Sequence, residues 1–180
     1  MKPQELTRAT HAWGAPERIA LVSSVDEAGK PNLIAVGWAM CAGMEPPVIA
    51  IGLGSKSHSC ANVTATGQFV FAVPGADLAA DVLYCGSHSG REVDKFAATG
   101  FTATPASQVR PPLLAECLSN LECRVIATQD VGDHRTFFGE VVAAWTSERQ
   151  EQRALLLVGD GGGYETLLRN DIFRLGAVRA

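Results

Sequence analysis

A chain of 180 residues with 47% hydrophobic and 19% charged content lies in the ordinary globular range, long enough for one sizeable core and too apolar for disorder. Its net charge of −4 and its scattered Lys and Arg leave no basic block that could release counterions from a phosphate backbone, so nucleic acid is not an expected partner. The longest apolar stretches, such as Ile19–Val22 and Val48–Leu53, fall far short of the roughly 20 residues of a membrane-spanning helix, so no membrane partner is expected either. The opening Met1-Lys2-Pro3-Gln4-Glu5-Leu6 is polar and unlike a secretory signal. Cys41, Cys60, Cys85, Cys117 and Cys123 are odd in number and form no CxxC, which points to reduced thiols and a cytoplasmic address rather than a disulfide framework or zinc ribbon.

In chain order, Arg18–Val25 is rich in apolar and β-branched residues, Asp26–Pro31 carries turn chemistry and Asn32–Trp38 resumes the strand pattern, which predicts a β-hairpin. Met44–Pro47 interrupts backbone pairing, after which Val48–Leu53 reads as a buried third strand. The loop Gly54–Ser59 leads into a short helix over Cys60–Thr66, closed by Gly67 where a left-handed residue is wanted. A fourth strand, Gln68–Val73, ends at Pro74-Gly75. Asp77–Tyr84 is helical in pattern, and Ser89–Thr99 offers a second helix stopped by Gly100, with Val93, Phe96 and Ala97 on one side. Leu121–Val131 and Thr136–Trp145 read as long strands joined by the polar turn Gly132-Asp133-His134-Arg135, and Leu155–Val158 as another before Gly159–Gly163. Strands clustered early and late around helices do not alternate as a doubly wound chain would. The expected fold is therefore mainly β, a β-barrel with helical insertions, in one domain over residues 1–180 with no repeat or linker to divide it.

Three hydroxyls, a lysine and a histidine crowd the helix entrance Gly54-Ser55-Lys56-Ser57-His58-Ser59. Helix N–H groups and the positive dipole end favour an anion there, although serine is also a common cap. Gly159-Asp160-Gly161-Gly162-Gly163 fails the dinucleotide fingerprint, because Tyr164 or Thr166 stands where glycine is required, and reads as a tightly turning loop. His58, Cys60, Cys85 and His88 have the spacing of ligand pairs, but nothing else supports a metal, and no metal site is expected. No G-x-S-x-G elbow is present and no nucleophile stands out. Singly, Trp38 is compatible with core packing, His134 with an exposed turn and Lys95 with a solvated helix face.

Ala20–Asn32, Pro46-Pro47 before a strand, Thr66-Gly-Gln-Phe-Val-Phe71, Ser89-Gly-Arg-Glu-Val-Asp-Lys-Phe96 and Leu121-Glu-Cys-Arg-Val125 with Val131-Gly-Asp-His134 occur in an order that resembles the flavin reductase-like family, its flavoredoxin branch above all, from about Pro16 to Gly176. The resemblance implies an FMN-binding split barrel of Greek-key type, a homodimer and a flavin at the subunit interface. It makes Asn32 and Trp38 neighbours of the isoalloxazine, Ala39 a cofactor-binding residue and His134 a further flavin contact. Ser59 becomes a phosphate ligand at its helix start, Ser55 and Ser57 cofactor-binding residues beside it, Lys95 a second phosphate-side contact and Tyr164 a contact near the C-terminus. The phosphate loop departs from the family's usual Arg-Tyr-Thr or His-Thr ending, so Lys56 or Ser57 stands in for the arginine. Gly37 replaces a frequent serine, which shifts ring hydrogen bonding toward backbone donors at Gly37–Met40.

On this resemblance no side chain need be catalytic, since the redox chemistry belongs to non-covalent FMN. The expected activity is hydride acceptance at flavin N5 from transiently docked NAD(P)H, with delivery to a second acceptor, either a small molecule or a partner protein. A flavoredoxin-type electron carrier with no significant NAD(P)H turnover and a non-flavin binding barrel are the alternatives.

Overall fold

A computed structural model describes residues 17–148 and the short strands Leu156–Leu157 and Leu167–Leu168. In chain order the strands are β1 (Glu17–Arg18), β2 (Ala20–Val25), β3 (Pro31–Val36), β4 (Ala39–Met44), β5 (Pro47–Gly54), β6 (Gln68–Val73), β7 (Ala103–Thr104), β8 (Leu113–Leu114), β9 (Ser119–Val131), β10 (His134–Thr146), β11 (Leu156–Leu157) and β12 (Leu167–Leu168). Helix α1 (His58–Thr66) follows β5, and α2 (Ala79–Ser87) and α3 (Lys95–Ala98) follow β6. The 7-stranded antiparallel sheet runs β3-β2-β6-β9-β10-β5-β4, with β1-β11-β12 and β7-β8 as smaller sheets. The fold is mainly β with helical insertions, as the sequence pattern predicts. Among the described residues no helix is long and apolar enough to cross a membrane.

Every residue of β2 is buried because successive side chains enter cores on both faces of the sheet, so its sequence does not alternate in polarity. Ala20 and Val22 join Ile51, Leu53, Val63, Phe69 and Phe137 in one core, which α1 closes through Cys60 and Val63. Ile19 and Leu21 belong to the opposite core with Leu33 and Ala35, covered by Val82 and Cys85 of α2. Each large side chain fully buried in these cores contributes roughly 1.5–3 kcal/mol of transfer free energy. The buried hydroxyl of Ser24 accepts from Asn62 Nδ2 of α1 at 3.3 Å, which ties that helix to β2.

Several elements differ from the sequence expectation, four of them in ways that bear on the site or its sheet. Strand β4 is absent from it, because Ala-Met-Cys-Ala-Gly-Met lacks β-branched residues; pairing with β5, through an irregularity between Cys41 and Gly43, creates the strand. The helix expected over Ser89–Thr99 shrinks to Lys95–Ala98. Gly90 weakens its first turn, and the Asp94 carboxylate accepts from the N–H groups of Phe96 and Ala97, starting the helix there. The polar turn contracts to Gly132-Asp133, so His134 becomes the first residue of β10, opposite Gly54. Of Leu155–Val158, Leu156–Leu157 pairs with β1 and β12. Gly67 holds the expected left-handed position, with φ 66° and its N–H on the Val63 carbonyl.

Glu122 on β9 fastens the segment between β7 and β8. Its carboxylate is fully buried and accepts from the N–H groups of Ser107, Gln108 and Val109, the Ser107 hydroxyl and Trp145 Nε1.

Candidate functional site

Strand β5 ends at Gly54, and the chain turns directly into α1. Ser57 caps that helix, its Oγ accepting from the Cys60 N–H at 3.1 Å, and its own N–H returns to the Gly54 carbonyl at 2.8 Å. Ser55 N–H donates to the Asp133 carbonyl at 2.9 Å, which pins this loop against the β9–β10 turn. The first turn of α1 contains no acidic residue. Ser55 and Lys56 are exposed, Ser57 and His58 half-buried and Ser59 buried, so the loop descends from solvent into the protein.

At the bottom, Ser59 Oγ accepts from Asn32 Nδ2 of β3 at 2.7 Å. Both side chains are buried, and the bond leaves the serine proton and the Asn32 carbonyl available to other partners. The chain before α3 passes over this pair at Gly90. A Cβ added there would lie 1.9 Å from Asn32 Oδ1 and 3.1 Å from His58 Cδ2, so only glycine allows this approach. The next residue, Arg91, reaches back to the loop and donates from Nη1 to the Lys56 carbonyl at 3.0 Å. Three segments far apart in sequence thus form one cradle.

Beside it lies an aromatic ledge. The rings of Trp38 and His134 are 4.6 Å apart between centroids and tilted by 40°. Trp38 is held through its carbonyl, which accepts from the Gly52 N–H at 2.8 Å, and His134 pairs with Gly54; both anchors are on β5, two residues apart and therefore roughly 7 Å. Trp38 is 57% exposed, which rules out core packing for it. His134 Nδ1 is 2.7 Å from the Asp133 carboxylate, a bond that fixes the ring's orientation.

Charge in the cradle is predominantly positive. Burial lowers the pKa of His58; the Arg91 guanidinium, with Lys30 and Lys95 further off, lowers it too, and Asp26 alone opposes them. Lys95 is buried, contrary to a solvated face, and donates to the main-chain carbonyls of Leu33 and Cys85 at 2.6 and 2.7 Å. Burial lowers its pKa as well. Two of its three protons are committed to holding α2 and β3 together, beside Asn32. The Cys85 thiol, pushed up to about 11 by burial, is a packing group.

The structure brings Asn32, Ser57 and Ser59 together with the exposed Ser55 at the cradle's edge, and sets Trp38 against His134. Ala39 adjoins the ledge, but its N–H is taken by the Gly37 carbonyl at 2.8 Å, so that amide is not an open donor. Tyr164 lies outside the described residues. Sequence reasoning placed His58 at the helix entrance that favours an anion, but gave no role there to Gly90 or Arg91. The Ser89-Gly-Arg-Glu stretch carried the signal, but it read as the opening of a helix, whereas it is a turn with Ser89 Oγ accepting from the Arg91 N–H.

These features define a mainly β protein with a cationic, hydroxyl-lined cradle beside an exposed aromatic ledge. The chain belongs to the Flavin reductase like domain family, whose model it matches over residues 14–167. It is 32% identical over 122 residues to an uncharacterized protein of Archaeoglobus fulgidus, covering 68% of this chain and 67% of the relative. It is 25% identical over 146 residues to an NADH:riboflavin 5'-phosphate oxidoreductase of Streptomyces pristinaespiralis, 81% and 79% of the two chains. Among solved structures, flavoredoxin from Methanosarcina acetivorans superposes with a TM-score of 0.76 at 26% identity, covering 91% of this chain and 93% of that one.

Proposed function

We propose that this chain binds FMN non-covalently and acts as an oxidoreductase of the flavin reductase kind, drawing hydride from NAD(P)H. The observation that carries this reading is the meeting of the α1 entrance, the buried Ser59–Asn32 pair and Arg91 beside the Trp38–His134 ledge. These residues fit a flavin mononucleotide: an acid-free helix start with hydroxyl donors suits a phosphate, and an exposed indole suits a planar ring.

When bound, FMN supplies a two-electron acceptor whose hydride-accepting atom is N5. Ser55, Ser57 and Ser59 offer hydroxyls to the phosphate, with the third proton of Lys95 as a further donor. Asn32, Trp38, Ala39 and His134 border the ring system. Asn32 is buried and pinned by Ser59, so its side chain is held in place without reorganisation. Tyr164 is kept as a contact from the C-terminal segment.

Trp38, just ahead of β4, and Met40 and Met44 on it are exposed, and β4 has β5 as its only neighbour among the described strands. A second copy covering this apolar edge would exclude water from the ledge, and we assign the working form as a homodimer with the site at its interface. None of the cysteines is in a disulfide among the described residues, which suits a cytoplasmic protein.

The visible spectrum of the purified protein, before and after reconstitution with FMN, tests the reading, followed by NADH and NADPH oxidation and light scattering for the dimer. A colourless protein that FMN does not reconstitute removes it and leaves a non-flavin binding barrel. The likeness to a flavoredoxin supports a second reading, an electron carrier serving a partner protein. Negligible nicotinamide turnover in a flavin-replete sample selects that one.

A further inference from the structure

We infer that Arg91, from the turn ahead of α3, is the residue that reads the flavin's phosphate and makes the site prefer a phosphorylated flavin to riboflavin. The inference rests on the FMN reading above and assigns its selectivity to one side chain.

The loop Ser55-Lys56-Ser57-His58-Ser59 contains no arginine, yet a guanidinium is present at it. Arg91 is exposed and spends one N–H on the Lys56 carbonyl, a neutral acceptor that fixes the fork without neutralising it. Four further N–H donors remain on a planar group whose geometry matches a phosphate. The position of the fork follows from the backbone. Gly90 is wedged against Asn32 and His58, and the Ser89 hydroxyl accepts from the Arg91 N–H at 3.3 Å, so the side chain leaves the turn at the rim of the cradle. Arg91 and His58 sit close enough that the guanidinium disfavours the charged imidazole, the arrangement of two potential cations that an intervening anion would reconcile. Lys56, with Ser57 one of the two loop residues expected in the arginine's place, has an exposed side chain, and only its main-chain carbonyl takes part in the Arg91 contact.

The test compares FMN and riboflavin affinities by fluorescence titration for the wild type, Arg91→Ala, Arg91→Lys and Lys56→Ala, with thermal unfolding to confirm that each variant is folded. Arg91→Ala is expected to weaken FMN roughly 10- to 100-fold, the range for a hydrogen bond to a charged group, and to change riboflavin by less than about twofold. Arg91→Lys should keep part of the preference, because it retains charge without the fork. Lys56→Ala, which keeps the carbonyl that Arg91 uses, should weaken FMN less than Arg91→Ala does. Unchanged FMN affinity in Arg91→Ala overturns the inference, as does an equal loss for both flavins, which would make Arg91 a brace for the loop. A larger loss in Lys56→Ala than in Arg91→Ala overturns it in favour of the lysine. A wild type that binds neither flavin overturns the FMN reading itself and the inference with it, a result distinct from all of these.

Discussion

Glu122 and the cradle are both polar insertions into an apolar fold, and they differ in how completely their groups are matched. Around Glu122 one carboxylate meets five donors, all from this chain, and nothing is left over for a ligand. In the cradle the proportion is reversed: Arg91, Lys95, Lys30, His58 and the start of α1 converge, with Asp26 as the carboxylate among them. A saturated buried charge is structure, because each of its bonds offsets its own desolvation. A surplus of donors of one sign marks a place where an anion from outside completes the set.

The strongest way to break that contrast is to remove Glu122. Glu122→Ala strands three main-chain donors, a hydroxyl and an indole N–H, and the expected loss is about 3 kcal/mol or more in denaturant unfolding. The effect has a pH signature. Burial works against the charged form, but the donors of Ser107, Trp145 and Gln108 outweigh it and hold the carboxyl below its ordinary value of 4.5. A depressed carboxyl contributes stability that is complete above its unfolded pKa and lost as pH falls through the folded one. Wild-type stability should therefore decline below about pH 4.5 more steeply than that of Glu122→Gln. Parallel profiles for the two proteins would show that the carboxylate's charge is not what holds the segment.

How much of each region was legible in the sequence follows from what created it. The β2–β3 hairpin and the long β9–β10 pair were visible because alternation and turn residues are local signals, and the left-handed Gly67 was visible for the same reason. Strand β4 was not, since its pattern is imposed by β5 and its apolar residues face outward. The hydroxyls of the cradle stood together in one loop and could be read as a group. Arg91 and Gly90 come from more than thirty residues further on, and no spacing rule announces that a turn there folds back over Asn32. Lys95 shows the opposite failure: on a short helix it resembled a solvated residue, but tertiary packing buries it against two carbonyls. Asp94 and Glu122 belong to the same class, since a carboxylate in sequence does not disclose which N–H groups it will meet.

A smaller effect is expected from filling the space above Asn32. Gly90→Ala would set a methyl group 1.9 Å from Asn32 Oδ1, so the turn or the amide must move. The cost in stability should be about 1–3 kcal/mol, as for other overpacked sites. FMN affinity should fall further than stability alone explains, because both the Asn32–Ser59 pair and the Arg91 turn shift. Ser59→Ala separates the two, deleting the acceptor of Asn32 and one hydroxyl while the turn stays in place, at roughly 1.5–3 kcal/mol of FMN binding. Equal FMN affinity in Ser59→Ala and the wild type would place the phosphate elsewhere and dissolve the contrast with Glu122.

The subtlest test reads the cradle's surplus charge through a proton. In the free protein burial, Arg91, Lys30 and Lys95 all disfavour the imidazolium of His58, and Asp26 is the single opposing group, so the ring is neutral at pH 7. A phosphate between His58 and Arg91 reverses the balance by favouring the charged ring, and binding must then take up a proton. Affinity for FMN should rise by a few-fold as pH falls from 8 toward 6.5, before protonation of the phosphate itself, with its second pKa near 6, removes the advantage. Calorimetry in two buffers of different ionisation enthalpy measures the uptake directly, and His58→Gln should abolish it while leaving the sign of the Arg91 effect unchanged. Proton uptake that survives in His58→Gln would show that the imidazole is not the group that titrates on binding, and His58 would then owe its position to folding alone.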